Sequence, residues 1–507
     1  MNNNFYALLA WRFLLHADRV CLETPAGERF TYGALDHESA RYTQLLGALG
    51  LKRGDRVAVQ IEKSPAALFF YLACLRAGLI YVPLNTAYRD LELEHFLDDA
   101  EPALVVCAPE RLDAMRALTA ARGIAAVHTL DAAGRGSLNE AAHSCNPRAD
   151  VEPVGADDIA VILYTSGTTG RPKGAMITHR NLASNATALH QAWGFRDGDV
   201  LLHALPIFHI HGLFVACHTA LLNVSTMLFL PKFDAASVIA QLPRASVFMG
   251  VPTYYTRLLA EPAFGREACR NMRLFTCGSA PLLPQTFHEF RERTGHTILE
   301  RYGMTETGMN TSNPLDGERR PGTVGPPLPG VQVRIVDKQD HDLPAGETGQ
   351  LLVKGENVFK GYWRLPEKTA EEFTADGFFR TGDLARRDNS GYVSIVGRAK
   401  DLIISGGFNI YPKEIESYLD KLDGVLESAV IGVPHPDFGE AVIAVIVRKP
   451  EATTLTEAGV IATLKSQIAG FKVPKRGFVV TELPRNTMGK VQKNLLREQY
   501  AKLFANS

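Results

Sequence analysis

The sequence lacks the patterns that mark several common protein classes. Its seven cysteines are odd in number and none forms a C-x-x-C pair, which argues against a disulfide framework or a zinc knuckle and fits a reducing cytoplasm. The net charge is −1, and basic and acidic residues are interspersed. We therefore expect no extended basic surface that would attract nucleic acid or an anionic membrane. Binding should therefore depend on local sites.

The sequence also lacks a recognisable targeting or membrane segment. Residues 1–5 have neither the basic start and apolar core of a signal peptide nor an Arg/Ser-rich transit pattern. The longest apolar stretch, residues 213–230, is interrupted by His218, Asn223, Ser225 and Thr226. It is typical of a buried helix and strand rather than of a membrane span.

Length and patterning predict an α/β protein of at least two domains. At 507 residues with 46% hydrophobic content, the chain is too long for a single core. A β-branched run at residues 57–61, a helical pattern at 65–77 and an apolar run at 104–107 alternate in the manner of parallel sheets covered by helices on both faces. We therefore expect a large N-terminal part with two α/β sheet subdomains.

The later part of the chain has a different pattern. Short strand-like runs at residues 331–336 and 349–353 follow a glycine- and proline-rich stretch, which predicts an antiparallel or barrel-like piece. A charged stretch at residues 397–401 marks a boundary between domains of residues 1–399 and 400–507. The small domain, with a helix beginning at Pro412, should be α+β in character.

The segment from Thr165 to Gly174 is the most informative motif. Its hydroxyls, glycines and lysine suit the binding of a polyphosphate, and the apolar run at residues 159–164 before it predicts a buried strand. The G-x-x-x-x-G-K-[ST] spacing of a Walker loop is absent, because Gly174 follows Lys173 where that loop has a hydroxyl. A different nucleotide chemistry is indicated.

This segment resembles the phosphate loop of the adenylate-forming superfamily, which comprises acyl-CoA synthetases, luciferases and peptide-synthetase adenylation domains. Five further segments match the superfamily in the right order and together span most of the chain: residues 278–281, 301–306, 381–383 with 397–398, 405–412 and 484–491. The resemblance implies activation of an acid by ATP and Mg²⁺, followed by transfer to coenzyme A.

The resemblance also assigns roles to individual residues. Tyr302 would stack on adenine, Thr305 would bond the α-phosphate and Glu306 would bind Mg²⁺, while Asp383 and Arg398 would hold the ribose. The complete set that it assigns to ATP or AMP is Thr165, Ser166, Gly167, Thr168, Thr169, Gly170, Lys173, Gly278, Ser279, Ala280, Glu300, Tyr302, Gly303, Met304, Thr305, Asp383 and Arg398.

Lys490 matches the catalytic lysine that superfamily members carry near the C-terminus. With Thr305 and Glu306 it forms the implied catalytic set, because negative charge gathers on the phosphoryl oxygens during attack. Gly406 and Gly407 would line the tunnel for the pantetheine arm of coenzyme A. In the family the small domain rotates between the two half-reactions about a hinge, and the hinge position here is Lys400.

Two arginines indicate which acid is activated. Arg301 directly precedes Tyr302, where most relatives carry glycine or another small residue, and Arg257 lies on a helical pattern that begins near Pro252. Paired guanidinium groups suit a second carboxylate, so a short dicarboxylate is indicated. The chain resembles malonyl-CoA synthetases closely, which implies that Arg257, Arg301, Ser279 and His209 bind malonate. Methylmalonate differs from malonate by one methyl group, so we expect it to be accepted as a second substrate.

Other functions remain open on sequence alone. The chain could be another short-chain acyl-CoA synthetase, or a standalone adenylation enzyme that loads a carrier protein, although no carrier segment follows Lys490. A non-catalytic nucleotide-binding relative is disfavoured because Lys490, Glu306 and Asp383 are all present. The expected ligands are a small diacid, ATP and coenzyme A, with neither nucleic acid nor membrane, and the choice between monomer and homodimer stays undecided.

Overall fold

The structure is a computed structural model that describes residues 2–165, 172–405, 408–452, 455–487 and 489–504. The chain divides into two compact units. The first comprises Met1–Gln332 and Val353–Phe379, and the second comprises Val333–Leu352 and Arg380–Ser507.

The first unit contains most of the helices and strands. Its helices are α1 (Phe5–Leu15), α2 (Tyr32–Ala48), α3 (Pro65–Arg76), α4 (Asp90–Ala100), α5 (Leu112–Ala120), α6 (Ser137–His143), α7 (His179–Ala192), α8 (His218–Leu222), α9 (Ala235–Gln241), α10 (Pro252–Ala260), α11 (Pro284–Thr294) and α12 (Pro366–Glu371). Its strands are β1 (Val20–Glu23), β2 (Arg29–Thr31), β3 (Arg56–Gln60), β4 (Ile80–Pro83), β5 (Leu104–Cys107), β6 (Ala126–Thr129), β7 (Ile159–Thr165), β8 (Lys173–Thr178), β9 (Val200–His203), β10 (Thr226–Phe229), β11 (Val247–Gly250), β12 (Leu274–Cys277), β13 (Ile298–Met304) and β14 (Gly308–Ser312).

Two mixed sheets organise the first unit. One has six strands in the order β6-β5-β3-β4-β7-β8, and the other has eight in the order β14-β13-β12-β11-β9-β10-β1-β2. Most neighbours pair in parallel, while the edge pairs β7/β8, β13/β14 and β1/β2 are antiparallel. Apolar side chains of the strands and helices form a separate buried cluster beside each sheet, because one face of each helix is apolar.

The helix boundaries follow from local sequence. Ser64 caps α3 by accepting a hydrogen bond from the Ala67 N–H, and Pro65 occupies the first turn, where no amide donor is needed. Thr178 and Asn181 cap α7 reciprocally through side-chain and backbone groups. A π-helical turn, His211–Cys217, leads into α8.

The second unit is built mainly from sheets. The strands that lie wholly or partly in it are β15 (Val331–Val336), β16 (Gly349–Gly355), β17 (Phe379–Arg387), β18 (Val393–Arg398), β19 (Ile403–Ser405), β20 (Phe408–Ile410), β21 (Val425–His435), β22 (Gly439–Arg448) and β23 (Arg476–Val480). Its helices are α13 (Pro412–Leu419), α14 (Glu457–Gln467) and α15 (Lys493–Tyr500). Strands β15 to β18 form one sheet in chain order, and β19 to β23 form another, with apolar clusters on both faces of the latter.

The α/β prediction is confirmed, with one correction. The expected parallel sheets are mixed, since β7/β8 and β13/β14 are antiparallel hairpin pairs at sheet edges. Periodicity within a strand reports which faces are buried but does not report the direction of its neighbour. The domain boundary at 399/400 and the mobility of the small domain stay predictions; the compact units group β15–β18 with the C-terminal sheet.

Candidate functional site

The ends of four strands of the eight-stranded sheet define the candidate site in the first unit. The neighbours β9, β11, β12 and β13 run in parallel and end at His203, Gly250, Cys277 and Met304. Ligands of open α/β sheets bind outside such carboxyl ends, because the loops that follow the strands converge there. The segments predicted to bind the acid and the adenine, residues 278–280 and 301–306, occupy this edge.

Arg301 is buried on β13, with 4% of its surface exposed. Its Nε and Nη2 groups have no hydrogen-bond partner among the described residues. Burial lowers the pKa of the guanidinium to about 10, so it remains charged at neutral pH. A buried charge without a partner costs free energy, and an anionic ligand would remove that cost.

Gly278 makes room for this guanidinium. A Cβ atom at position 278 would lie 2.5 Å from Cζ and Nη1 of Arg301, closer than any side chain can approach. A side chain at position 278, directly after β12, would therefore displace the Arg301 guanidinium from its present place.

Two histidines and a serine lie beside Arg301. Burial and the Arg301 charge lower the pKa of the partly buried His209 to about 4. His211 is fully buried, and burial followed by the charge of Arg301 holds its pKa well below the usual range. Its Nδ1 lies 3.2 Å from Ser279 Oγ, whereas its Nε2 has no partner. Both histidines are therefore neutral, and the local charge is that of Arg301.

Ser279 has a strained backbone. Its φ is +72°, in the left-handed region that residues other than glycine rarely adopt. Its hydroxyl lies 3.2 Å from His211 Nδ1, which fits the predicted place of Ser279 in the acid site. Ala280 follows in the same loop and is partly buried.

Glu306 is the centre of a second polar cluster. Its carboxylate is buried, and Oε1 accepts hydrogen bonds from Tyr362 Oη at 3.1 Å and from Thr165 Oγ1 at 3.3 Å. Lys173 lies with Nζ 3.9 Å from the centre of the Tyr362 ring and 3.9 Å from Glu372. Burial lowers the pKa of Lys173.

The composition of this cluster fits a magnesium ion that is bound mainly by phosphate oxygens. One carboxylate with an adjacent hydroxyl is a typical protein contribution, because Mg²⁺ keeps several waters and binds substrate phosphates. Within the described ranges, we found no group of three or more His, Cys, Asp or Glu side chains that could hold a metal by itself.

The hairpin of β13 and β14 carries the predicted adenine site. Tyr302 is partly exposed, and its register with β14 shifts between Tyr302 and Gly303. A Cβ at Gly303 would meet the Gly308 carbonyl oxygen at 2.2 Å, so only glycine fits there. Met304 and Thr305 are partly buried at the end of the hairpin. Part of the Tyr302 side chain is therefore accessible to solvent.

Glu300 and Arg257 are placed less centrally. The buried Glu300 accepts a hydrogen bond from the Gly322 N–H at 3.2 Å. Arg257 lies on α10 as predicted, one turn from Tyr254, but its side chain is exposed. Its charge opposes the rise in the pKa of Tyr254 that burial causes, so the two side chains are near each other. The structure thus buries one arginine of the predicted pair and leaves the other in solvent.

Several predicted residues lie outside the described residues. These are Ser166, Gly167, Thr168, Thr169 and Gly170 of the phosphate loop, and Gly406 and Gly407 of the predicted pantetheine tunnel. Thr165 and Lys173 at the ends of the phosphate loop are described, and they pair across β7 and β8.

The remaining predicted residues cluster in the second unit. Asp383 on β17 pairs with Arg398 on β18 at 2.8 Å and is buried. Partial desolvation and the charge of Arg398 lower the pKa of Lys490, while Asp383 and Asp401 oppose that effect. Lys400 lies in a short helical turn next to Asp401. The predicted ribose pair, catalytic lysine and hinge are therefore neighbours within this unit.

Sequence reasoning missed two members of the site in the first unit. Tyr362 holds the Glu306 carboxylate, and no motif marked it because its contact depends on the pairing of distant segments. His211 was assigned no role, although its position two residues after His209 was an available signal.

Comparison with known proteins decides the family. A model described as AMP-binding enzyme matches residues 9–363, and one described as AMP-binding enzyme C-terminal domain matches residues 414–490. The chain belongs to the AMP-binding enzyme family. The resemblance to adenylate-forming enzymes is thereby confirmed.

Three members of this family show how similar the relatives are. The mitochondrial malonate–CoA ligase of Mus musculus is 37% identical, over 96% of this chain and 90% of that protein. A feruloyl-CoA synthase of Amycolatopsis is 36% identical, over 94% of each. The crystal structure of ATP-bound MatB from Rhodopseudomonas palustris has 54% identity and a TM-score of 0.96, over 99% of this chain and 100% of that one.

The malonate–CoA ligase and the feruloyl-CoA synthase are named for different acids at 37% and 36% identity, so the choice of acid depends on the site. In the parts of the chain that the structure describes, no helix combines the length and apolarity needed to cross a bilayer.

Proposed function

We propose that this AMP-binding enzyme is an ATP-dependent malonate–CoA ligase. It would form malonyl-AMP and pyrophosphate, and then malonyl-CoA and AMP. The observation that carries the choice of acid is the buried Arg301, whose Nε and Nη2 groups have no hydrogen-bond partner in the described part of the chain. The similarity to proteins named malonate–CoA ligase supports the same choice.

A dicarboxylate satisfies this arginine better than a monocarboxylate does. One carboxylate of the substrate must react, so only an acid with a second anionic group can neutralise Arg301 at the same time. Ser279 contacts His211, which is close enough to Arg301 for the arginine charge to lower its pKa. The neutral His209 adds no competing charge. We propose that these residues bind the distal carboxylate, with Arg257 at the exposed end of the site.

The first half-reaction joins malonate to AMP. An oxygen of the near carboxylate attacks the α-phosphorus of ATP, and the bond from that phosphorus to the pyrophosphate oxygen breaks. Negative charge grows on the nonbridging oxygens, where Lys490 and the Thr305 hydroxyl would donate. Mg²⁺ held by Glu306 would supply further positive charge at the phosphates.

Separate groups would bind the parts of the nucleotide. We assign the adenine to the partly exposed Tyr302 and the ribose to Asp383 with Arg398. Lys173 is a further candidate for the phosphates, because it is buried beside Tyr362 and Glu306.

The second half-reaction transfers the acyl group to coenzyme A. The thiolate attacks the carbonyl carbon of malonyl-AMP, the carbon–oxygen bond to the phosphate breaks, and AMP leaves with both electrons of that bond. We propose Gly406 and Gly407 for passage of the pantetheine arm and Lys400 as the hinge, on the basis of the family resemblance.

A screen of acids tests the substrate. Pyrophosphate release is measured with acetate, malonate, methylmalonate, succinate and a medium-chain fatty acid, and kcat/KM is compared. Malonate should exceed acetate by roughly 30-fold or more, because acetate leaves the Arg301 charge uncompensated. Similar values for acetate and malonate would contradict the diacid assignment. Acyl transfer to a carrier protein in preference to coenzyme A would indicate the alternative of a carrier-loading enzyme.

A second experiment tests the role of Lys490. Lys490→Ala should lower malonyl-AMP formation roughly 10²- to 10³-fold, because one charged donor to the transition state is lost. Thioester formation from supplied malonyl-AMP should change much less. Lys465→Ala is the matched control, since Lys465 is an exposed lysine on α14 of the same unit. Equal losses in both half-reactions would argue against the assignment.

A further inference from the structure

A buried lysine lies apart from the residues discussed so far. Lys63 follows β3, directly before the Ser64 cap of α3, and only 7% of its surface is exposed. Its ammonium group makes no salt bridge with the described carboxylates, although burial of an unpaired charge is costly. Its position at the positive end of a helix dipole adds to this cost.

Three contacts hold the Lys63 amino group. Its Nζ lies 2.7 Å from Nδ1 of His203 and 2.9 Å from the His203 carbonyl oxygen, to which it donates. The ring of Phe229 lies 4.2 Å away and accepts a cation–π contact. The contacts join the end of β3 in the six-stranded sheet to the end of β9 in the eight-stranded sheet.

The hydrogen bonds of His203 have a fixed direction. Its Nε2 lies 2.9 Å from the carbonyl oxygen of Gly212 and 3.3 Å from Sγ of Cys217. Because the carbonyl oxygen can only accept, Nε2 carries the proton. His203 is fully buried and its pKa lies well below the usual range, through burial and the nearby Lys63, so the ring is neutral. The unprotonated Nδ1 must then accept from Lys63, which is the donor in either of its protonation states.

Gly212 anchors the loop that carries His209 and His211. A Cβ at Gly212 would lie 2.0 Å from the Pro206 carbonyl oxygen, so the loop folds directly onto this residue. Within the loop, the His211 N–H donates to His209 Nδ1 at 3.2 Å, and the Leu213 N–H donates to the His209 carbonyl at 3.0 Å. A donor chain thus runs from Lys63 through His203 to the base of this loop.

We propose that Lys63 is a positioning residue for the acid site: through His203 it fixes the Gly212 carbonyl and so holds His209 and His211 beside Arg301. The inference rests on the proposed function, because this loop borders the acid only if malonate binds at Arg301. Lys63 touches no substrate. Its removal should alter how well the acid is bound and oriented, while ATP binding elsewhere in the first unit is spared.

The test begins with Lys63→Met, which keeps the length and apolar stem of the side chain. The KM for malonate should rise roughly ten- to a hundredfold, since small displacements of binding groups have effects of this size. The KM for ATP should stay within about twofold, because the contact chain leads only to the acid site. Lys52→Met, an exposed lysine before β3, is the matched control and should behave as wild type.

Two substitutions of His203 test whether the site depends on the hydrogen bond that the His203 Nε2–H donates to the Gly212 carbonyl oxygen. His203→Gln places an amide nitrogen near the former Nε2 and can still donate to Gly212, whereas His203→Asn reaches only the former Nδ1 position. The Gln variant should keep a malonate KM within a few-fold of wild type, and the Asn variant should resemble Lys63→Met. If Lys63→Met fails to fold, this pair decides the question.

The outcomes separate the inference from the proposed function. An unchanged malonate KM in Lys63→Met, with a lower melting temperature and a lower kcat, would show a merely structural lysine and overturn the inference. Equal effects of His203→Gln and His203→Asn would overturn the link through Gly212. If the wild-type enzyme releases no pyrophosphate with malonate, the proposed function itself fails, and this is seen before any variant is made.

Discussion

Replacing Arg301 by methionine tests the site most directly, because activity and stability should respond in opposite senses. Methionine keeps the length of the side chain and removes the charge. In the free protein the guanidinium is buried, and no described residue forms a hydrogen bond with its Nε or Nη2 group. With malonate bound, the same group would face a carboxylate.

The expected loss of activity follows from breaking a buried charge pair. Truncating one partner of such a pair costs about 2–5 kcal/mol, which corresponds to a fall in kcat/KM for malonate of roughly 30- to 5,000-fold. Arg301→Lys keeps a charge but not the planar fork and should fall in between. Arg257→Met is the comparison at an exposed site, where loss of a charge costs less than about 1 kcal/mol.

The stability of the free protein should not fall. The pKa of Arg301 is lowered from 12.5 to about 10 by burial, so at neutral pH, below both values, the folded state carries the full penalty of the charged form, on the order of 3 kcal/mol. Removing the charge relieves this penalty, against which some packing is lost.

Pyrophosphate-release kinetics and a melting curve without ligands supply both measurements. A melting temperature several degrees below wild type, or unchanged malonate kinetics, would refute the reasoning.

Three further predictions concern neighbouring groups. Gly278→Ala should raise the KM for malonate about tenfold or more with little effect on ATP, because the new Cβ would collide with the Arg301 guanidinium; unchanged kinetics would contradict the 2.5 Å approach. Tyr362→Phe removes a hydrogen bond to the Glu306 carboxylate and should raise the Mg²⁺ concentration for half-maximal adenylation roughly tenfold, whereas an unaltered metal titration would argue against that role. Burial lowers the pKa of His218 from 6.5 to about 3, so only the unfolded state takes up the proton as pH falls below 6.5, and the share of His218 in the loss of stability at pH 5 is about 2 kcal/mol. The fall in unfolding free energy from pH 7 to pH 5, measured by denaturant titration, should therefore be about 2 kcal/mol smaller in His218→Gln than in wild type; equal falls would contradict the assignment.

Much of the secondary structure could be predicted from the sequence. The run at residues 104–107 is the whole of β5, and the helical pattern at 65–77 forms α3 to within one residue. Such elements depend on local periodicity and capping, which neighbouring residues carry. The antiparallel pairing of β13 with β14 could not be read in this way, because it depends on which distant strands become neighbours.

The two predicted arginines also show which properties of the site the sequence could predict and which it could not. Their chemistry could be inferred from residue type, and their position near the acid-binding motifs from spacing. Burial distinguished them: Arg301 is enclosed with 4% exposure, whereas Arg257 is exposed on α10. Burial depends on packing between separate segments, as in the fit of Gly278 against Arg301.

By itself, the sequence determined which functional groups this protein carries: the phosphate-loop hydroxyls and glycines, the carboxylate Glu306, the lysine Lys490 and an arginine next to Tyr302. Those are properties of residue type and order along the chain. Only the tertiary structure decided which of these groups lose water and which side chains from distant segments support them, as Tyr362 supports Glu306. The physical reason is that desolvation and hydrogen-bond direction arise where strands far apart in sequence end at the same edge of a sheet.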